Sequence, residues 1–363
     1  MKLIIFTILL SFLITYFLVP IVKKIGLNFN ILDYPDFRKT HKIPIVRIGG
    51  LAIIIGWIST ILIVFFINKD YFELQNINSS FTLLELIFCS ILFFIIGFCD
   101  DIKRLSPYLR LFLQFIVASI CWAKGLSINH LNLNFINFNF ANIELSVILS
   151  YLITTFFIVG FINAFNWWDG LDGLATGTAI ISTFFLFLID ISLYEYIPSY
   201  SSLLISSFLG SLLGFLKHNF KPAIILMGDG GAYFLGFYLT HLILFNNFQE
   251  QPNLVGGLNR TYSPLLTIIV VLPIIIDMLK VIYLRLISFK MLVKPDRLHL
   301  HHDLLKLGLS EKETVMQMYA IILLSCSFSF LFIDIQFSNF YFYISCLIFC
   351  VITLLNFRKK ISN

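Results

Sequence analysis

Long apolar runs alternate with short polar segments along the whole chain. A run of about 20 apolar residues is long enough for a helix to cross the hydrocarbon core of a bilayer. A membrane β-barrel would instead show alternating apolar and polar positions in segments of about 10 residues. We therefore predict an all-α polytopic membrane protein with about 11 transmembrane helices, at 3–22, 48–67, 82–99, 107–124, 143–163, 174–190, 201–216, 232–246, 264–287, 314–333 and 339–357.

Composition supports this interpretation. Apolar residues make up 59% of the 363 residues and charged residues only 12%, with a mean hydropathy of +0.92. A soluble protein carries about 25% charged residues. No linker or shift in composition divides the chain, so we predict one integral-membrane domain over 1–363. The six cysteines lie in or beside apolar runs without a C-x-x-C pair, and we expect core thiols rather than disulfides or a zinc site.

The basic residues predict the orientation in the membrane. Most of the 25 Lys and Arg residues fall in alternate polar segments, starting with the segment after the first run. Because cytoplasmic loops are enriched in Lys and Arg, we predict an N-terminus outside and a C-terminus in the cytoplasm. The net charge of +5 then reflects topology and attraction to anionic membrane lipids. It gives no reason to expect a nucleic-acid partner.

Four amide or acidic residues recur every three positions at the end of the fifth apolar run. A step of three turns a helix by about 300°, so the first and last of them would lie on opposite faces of a continuous helix. Glycines nearby allow the chain to turn and the polar groups to converge. Helix capping is the competing explanation, but it does not account for all four beside two tryptophans. The residues are Asn163, Asn166, Asp169 and Asp172, with Gly170 and Gly173.

Two further acidic sites end or begin apolar runs. Asp100 and Asp101 follow the third run, and a solvated acid pair balanced by Lys103 and Arg104 is the plain alternative to a metal or phosphate site. Arg104 also excludes a D-D-x-x-D diphosphate motif. Asp229 stands in a Gly-Asp-Gly-Gly segment, where backbone N–H groups could approach phosphate oxygens while the carboxylate binds Mg²⁺. Mg²⁺ typically takes one or two protein carboxylates and completes its shell with water and phosphate.

Histidines and basic residues add candidate ligands for anions. His299, His301 and His302 lie in a short segment that we expect to form a surface helix ended by Gly308, with Ser310 and Glu313 capping the next span. Their spacing does not suit zinc, which favours i, i+4 pairs on a helix. Lys42 and Arg47 each fit either a topology signal or a phosphate contact, and we assign Lys42 to substrate binding. All these clusters fall on the predicted cytoplasmic side, which favours one composite site.

Taken together, these motifs resemble the polyprenyl-phosphate N-acetylhexosamine-1-phosphate transferases, the glycosyltransferase 4 family that includes undecaprenyl-phosphate N-acetylglucosaminyl 1-phosphate transferases. The resemblance covers essentially the whole chain. The His-x-His-His pattern is closer to the branch that initiates glycans than to the muramoyl-pentapeptide branch, which has three consecutive histidines. The matching segments are His41-Lys42-x-Pro44 with Gly49-Gly50, Asp100-Asp101, Asn163-x-x-Asn166-x-x-Asp169-Gly-x-Asp172-Gly, Gly228-Asp229 and His299-x-His301-His302.

The resemblance implies transfer of N-acetylhexosamine-1-phosphate from a UDP-sugar to undecaprenyl phosphate, with release of UMP and initiation of a cell-surface glycan. It implies a bacterial inner membrane location with the active site facing the cytoplasm, and Mg²⁺ as cofactor with Mn²⁺ as a substitute. Asp229 and Asp100 would bind the metal. Asp100 and Asp101 would act on the lipid phosphate. Substrate binding would fall to Lys42, Asn163, Asn166, Asp169, Asp172, His299, His301 and His302.

Several points stay open from the sequence. N-acetylglucosamine is the default donor sugar, but Ala232 and the pair Trp167-Trp168 depart from the family pattern and leave deoxy-N-acetylhexosamines open. A homodimer is also open. Two other classes compete: an ion-coupled transporter, which would place its acids at mid-membrane, and a CDP-alcohol phosphotransferase, which would need an Ala-Arg pair after the Asp-Gly. Ala175-Thr176 stands there instead.

Overall fold

The protein is a bundle of helices. The structure is a computed structural model that describes residues 2–35, 43–68, 81–132, 142–193, 199–248, 264–288, 298–331 and 338–361. Within these ranges the helices are α1 (Lys2–Asn28), α2 (Gly50–Ile67), α3 (Leu83–Lys103), α4 (Pro107–Ala123), α5 (Val147–Trp168), α6 (Leu174–Leu193), α7 (Tyr200–Asn219), α8 (Gly228–Phe248), α9 (Pro264–Ile287), α10 (Leu300–Lys306), α11 (Glu311–Phe330) and α12 (Ser338–Ile361).

Two short strand pairs accompany the helices. The strands are β1 (Leu32–Asp33) and β2 (Ile45–Val46), which pair antiparallel, and β3 (His130–Asn132) and β4 (Asn142–Glu144), which also pair antiparallel. The all-α prediction omitted them. Strands of 2 or 3 residues are too short to show an alternating pattern in the sequence.

The apolar runs became helices. Each of the eleven predicted segments overlaps one of the long helices, and α10 is the additional short one. Eight helices of the described residues are long and apolar enough to cross a membrane, which identifies a multi-pass membrane protein. The count of eleven spans and the orientation of the termini stay predictions.

Polar caps define where several helices begin. Thr82 with Glu85 starts α3 and Ser310 with Glu313 starts α11, each as a reciprocal capping box. The capping box predicted at Ser310 is therefore confirmed. Such caps satisfy backbone N–H groups that the first turn leaves without partners. Gly308, with φ of 86°, follows the end of α10 as predicted.

Close helix packing brings the polar helix ends together. Helix α8 is central: it packs against α3, α5 and α2. Its first turn meets α3 at Gly97, where an added Cβ would lie 2.4 Å from the carbonyl carbon of Asp229. Only a residue without a side chain allows this approach. The end of α3, the end of α5 and the start of α8 consequently lie side by side.

Candidate active site

A backbone ladder positions the segment before α2. Leu226 N–H donates to the Val46 carbonyl at 2.8 Å, and Gly49 and Gly50 N–H donate to the carbonyls of Leu226 and Met227 at 2.8 Å each. These bonds join the first polar loop to the loop that leads into α8. Arg47 lies between the strand β2 and α2, and the ladder fixes its backbone beside the start of α8.

Asp101, in the last turn of α3, caps α8. Its Oδ1 accepts the Asp229 N–H at 3.0 Å and its Oδ2 accepts the Gly230 N–H at 3.1 Å. A carboxylate is favoured at a helix N-terminus by the free N–H groups and the helix dipole. These two N–H groups therefore bind Asp101, and the expectation that they approach a phosphate is wrong for both.

Arg47 neutralises Asp101. Its Nε donates to Asp101 Oδ1 at 2.8 Å and its Nη2 lies 2.6 Å from the same oxygen. The Asp101 side chain is 1% exposed, so an unpaired charge there would be costly. Arg47 also approaches Asp33 Oδ1 at 3.6 Å and Asp229 Oδ2 at 3.6 Å. One guanidinium thus contacts carboxylates from three different segments.

Asp229 is the point where these groups meet. Its Oδ1 accepts a hydrogen bond from Asn166 Nδ2 at 2.9 Å, which ties α5 to α8. Arg110 Nη1 lies 3.8 Å from Asp229 Oδ2 and donates to Asp100 Oδ2 at 2.5 Å. The Arg110 guanidinium thus lies within 4 Å of a carboxylate oxygen of Asp100 and of a carboxylate oxygen of Asp229. The structure therefore places both predicted metal ligands next to each other.

The charge balance of this group fits a divalent cation. Four carboxylates face two guanidiniums, which leaves an excess of two negative charges when all are ionised. Two carboxylates in contact repel unless a cation or a shared proton lies between them. Among the described residues no group of three or more His, Cys, Asp or Glu side chains could hold a metal. A cation held by Asp100 and Asp229 would need ligands from water or substrate, as Mg²⁺ usually does.

A cleft opens beside this charged group. Its volume is about 290 Å³ and its walls come from the first polar loop, the end of α5, the turn after it, the start of α8 and helix α10. Eight of its 13 lining residues are polar or charged: Asp33, Arg47, Asn166, Asp169, Asp172, Asn219, Asp229 and His302.

The turn after α5 carries two predicted acids, Asp169 and Asp172, which both line the cleft but differ in burial. Asp172 is buried: its Oδ2 accepts the Ala223 N–H at 3.1 Å and lies 3.6 Å from Lys221 Nζ. Asp169 is half-buried. Removal from water, together with the charges of Asp172 and Asp101, raises the pKa of Asp169 to about 7 despite the opposing effect of Arg47.

Asn163 lies apart from the other three members of its series. Helix α5 continues to Trp168, five residues beyond the predicted end of the span. Asn163 therefore stays on the helix, where its Nδ2 donates to Gln114 Oε1 at 2.6 Å and to the Val159 carbonyl at 2.7 Å. It ties α5 to α4 and does not line the cleft described above.

The three histidines occupy different positions around α10. His299 is the N-cap residue, and its Nδ1 lies 2.8 Å from Asp277 Oδ2. His301 is buried against Gly170 of the turn, and His302 lines the cleft. Burial and the neighbouring imidazoles of His302 and His299 lower the pKa of His301 to about 3, so this ring is neutral at pH 7.

Some groups at the site were not assigned from the sequence. Arg110 and Asp33 carried no motif signal, and Arg47 was left between two roles. Arg110 lies one turn into α4, and only the packing of α3 against α4 shows that it faces Asp100. Lys42, by contrast, was assigned to substrate binding and lies outside the described residues.

Fold and site together define a multi-pass membrane protein with a cluster of carboxylates and guanidiniums at the ends of its helices. The model of glycosyl transferase family 4 matches residues 83–247. A phospho-N-acetylmuramoyl-pentapeptide-transferase of Orientia tsutsugamushi is 30% identical over 352 residues, covering 89% of this chain and 90% of the relative. The chain belongs to glycosyl transferase family 4, as the resemblance of its motifs predicted, and it is a transferase.

Two other relatives are of similar identity. A protein of Bacillus subtilis named as a probable undecaprenyl-phosphate N-acetylglucosaminyl 1-phosphate transferase is 29% identical over 313 residues, with 86% of this chain and 80% of the relative covered. The decaprenyl-phosphate N-acetylglucosaminephosphotransferase of Mycolicibacterium smegmatis is 29% identical over 322 residues, with 85% and 76% covered. The names of all three relatives describe transferases of sugar phosphates.

Proposed function

We propose that this protein transfers N-acetylhexosamine-1-phosphate from a UDP-sugar to undecaprenyl phosphate in the bacterial inner membrane. The observation that carries the proposal is the meeting of Asp100, Asp229 and Asn166 with two guanidiniums beside a polar cleft. A diphosphate donor carries negative charge that such cations and a bound metal neutralise. The predicted orientation places this cleft on the cytoplasmic side, where nucleotide sugars are available.

Mg²⁺ would be held by Asp100 and Asp229, with remaining ligands from water and the diphosphate. When bound, the ion supplies neutralisation of charge on the diphosphate. Arg47 and Arg110 lie within 3.8 Å of Asp229 Oδ2 and supply further positive charge at the same place. Asp101 is fully engaged by Arg47 and by two N–H groups, so its role is to hold the first turn of α8 and with it Asp229.

The reaction then requires little covalent chemistry from the protein. A lipid phosphate oxygen forms a bond to the sugar-bearing phosphorus, the bond to the bridging oxygen breaks, and UMP leaves. The second ionisation of a phosphate monoester lies near pH 6, so a strong base is unnecessary. Positioning and charge stabilisation supply most of the acceleration in phosphoryl transfer. Asp169, Asp172 and His302 line the cleft where the nucleotide sugar would bind.

N-acetylglucosamine is our default donor, following the names of two of the relatives. A muramoyl-pentapeptide donor is the second candidate, because the Orientia relative carries that name and covers most of both chains. His299-x-His301-His302 favours the first candidate, since the muramoyl branch carries three consecutive histidines.

Product analysis tests the proposal. The purified protein in detergent would be incubated with undecaprenyl phosphate, Mg²⁺ and one UDP-sugar at a time: UDP-N-acetylglucosamine, a UDP-deoxy-N-acetylhexosamine or UDP-N-acetylmuramoyl-pentapeptide. We expect a lipid diphosphate sugar by mass spectrometry and equimolar UMP with the first donor, and no product with EDTA. Release of UDP in place of UMP would show transfer of the sugar alone and would refute the proposal.

A further inference from the structure

Helix α10 carries the histidine that lines the cleft, yet it has little stability of its own. It has 7 residues, and an isolated helix shorter than about 12 residues is marginal in water. Its N-cap residue, His299, makes no side-chain capping hydrogen bond to the helix. Something outside α10 must therefore hold it in place.

Asp277 of α9 supplies the missing cap. Its Oδ1 accepts the Leu300 N–H at 2.7 Å, which is the first N–H of α10, and its Oδ2 lies 2.8 Å from His299 Nδ1. Asp277 is 4% exposed and His299 is 7% exposed. A buried carboxylate inside an apolar helix is expensive unless it is paired, and here both oxygens are used.

The same contact fixes the tautomer of His299. A carboxylate can only accept hydrogen bonds, so His299 Nδ1 must carry the proton that it donates to Asp277. A ring held this way has a defined orientation, as in metal sites and catalytic triads where a carboxylate orients a histidine. Asp277 therefore determines both where α10 begins and which face of the His299 ring is presented.

A series of ring contacts, of which only the His299–His301 pair is stacked, connects this ring to the cleft. The Arg285 guanidinium lies 4.9 Å from the centre of the Trp167 ring, and Trp167 lies 5.8 Å from His299. His299 and His301 are parallel within 5° at 5.7 Å, and His301 lies 4.2 Å from His302. His302 is the member that lines the cleft. Displacing His299 would displace the rings that follow it.

We infer that Asp277 is a positioning residue for the transfer reaction, which caps α10 and orients His299 so that His302 reaches the nucleotide-sugar cleft. The inference rests on the proposed function for its kinetic consequence but not for its structural one. Asp277 touches neither the cleft nor the carboxylate cluster around Asp229, and it acts only through α10.

Two substitutions separate the two roles of Asp277. Asp277→Ala removes the cap and the histidine partner. Asp277→Asn keeps a carbonyl oxygen for the Leu300 N–H but turns an NH₂ group toward His299 Nδ1, which favours the opposite tautomer. Lys306→Gln is the matched control, because Lys306 is exposed in the last turn of the same helix and pairs with Asp303.

Hydrogen–deuterium exchange of the peptide spanning 298–308 and steady-state kinetics would be measured on all variants. For Asp277→Ala we expect exchange to be faster by about tenfold, the scale of a lost helix cap. We also expect its KM for the nucleotide sugar to rise by about 10-fold to 100-fold, the scale seen when a residue that orients a binding histidine is lost, with kcat less affected. Asp277→Asn should keep near wild-type exchange and still lose kcat/KM relative to Lys306→Gln.

Each outcome decides one part of the inference. Exchange within twofold of wild type for Asp277→Ala would overturn the capping role. Full kcat/KM for Asp277→Asn would overturn the role of the tautomer. If the wild-type protein transfers no sugar phosphate from any donor, the proposed function fails, but the exchange measurement still decides whether Asp277 holds α10.

Discussion

Two buried aspartates lie at opposite ends of α6 and have different surroundings. Asp172 precedes the helix by two residues, and Asp190 lies in its last turn. The two residues are 18 positions apart, which corresponds to about 27 Å along a helix. Asp190 is 0% exposed, and its oxygens accept hydrogen bonds from the hydroxyls of Ser199, at 3.0 Å, and Ser201. Ser199 also caps α7, so this carboxylate belongs to a closed junction between two helices.

The other end of α6, near Asp172, lies beside the cleft. Asp172 contacts a backbone N–H and Lys221, and it borders the cleft together with Asp169 and Asp229. The groups around it come from distant segments of the chain and include the ionisable side chains of Lys221 and Asp229. Burial of an acid is therefore not enough to mark a site in this protein. The distinguishing features are cationic partners from several segments and an adjacent cavity.

The largest effect should come from Asp229. Asp229→Asn removes a carboxylate beside two guanidiniums, where we propose that Mg²⁺ binds, and we expect turnover to fall by about 1,000-fold, the scale of removing a group that stabilises transition-state charge. Labelled lipid product measured across a Mg²⁺ titration checks this. Near-normal turnover with unchanged Mg²⁺ dependence would refute the assignment of Asp229 as a metal ligand. Asp229 would then be no more important for activity than Asp190.

Arg47 should rank second. Arg47→Gln leaves the buried Asp101 carboxylate with two N–H donors but without its cationic partner, and removal of one partner of a buried ion pair costs about 3 kcal/mol. We expect a lower melting temperature in detergent and turnover reduced by about 100-fold. Arg47→Lys keeps the charge but cannot reach three carboxylates with one planar group. It should recover part of the stability and little of the activity; full recovery of activity would show that only the charge matters.

A substitution at Gly170 tests whether the contact between α10 and the turn before α6 matters for substrate binding. An added Cβ at position 170 would lie 2.3 Å from His301 Nε2, so Gly170→Ala must push the imidazole or the turn. We expect KM for the nucleotide sugar to rise by about tenfold, as for other losses of supporting contacts. Gly160→Ala on α5 is the matched control, because an added Cβ there meets nothing within 4 Å. Equal KM values for both variants would argue against the contact.

The pH dependence of stability should reflect Asp169. Its pKa in the folded protein is about 7, above the usual value for an aspartate, so the folded state binds this proton more tightly than the unfolded state. Stability should then fall as pH rises from about 4 to 7, and level off above that. Apparent melting temperatures between pH 5 and 8 would be compared for the wild type and Asp169→Asn. The variant should lose less stability over this range; identical slopes would contradict the shift.

Asp190→Asn should have the smallest effect on activity. The amide keeps one acceptor for the serine hydroxyls and removes a buried charge. We expect kcat/KM within about twofold of wild type, as for changes away from a site, although the melting temperature can move in either direction. A loss of turnover comparable to that of Asp229→Asn, with an intact fold by size-exclusion chromatography, would make Asp190 a functional residue.

Much of the fold was predictable because helices that cross a membrane need a local signal. A helix makes its backbone hydrogen bonds within one segment, so an apolar run long enough to span the membrane predicts a helix by itself. The runs at 264–287 and 107–124 accordingly correspond closely to α9 and α4. The short strands were not predictable, since pairs such as Leu32 with Val46 depend on a partner far along the chain. The predicted end of the fifth span came too early because the apolar run ends at Asn163, whereas the helix continues to Trp168.

The sequence by itself determined the candidate residues for the chemistry: the side chains of Asp100, Asn166 and Asp229 stand out against an apolar background, where polar groups are rarely kept without a reason. Only the tertiary structure decided which groups each of these side chains contacts. It made Asp101 the cap of α8, placed Arg47 and Arg110 beside Asp229, and separated Asn163 from the cleft. The physical reason is that charge pairing depends on distances of a few ångströms between segments, and such distances are set by helix packing and not by spacing along the chain.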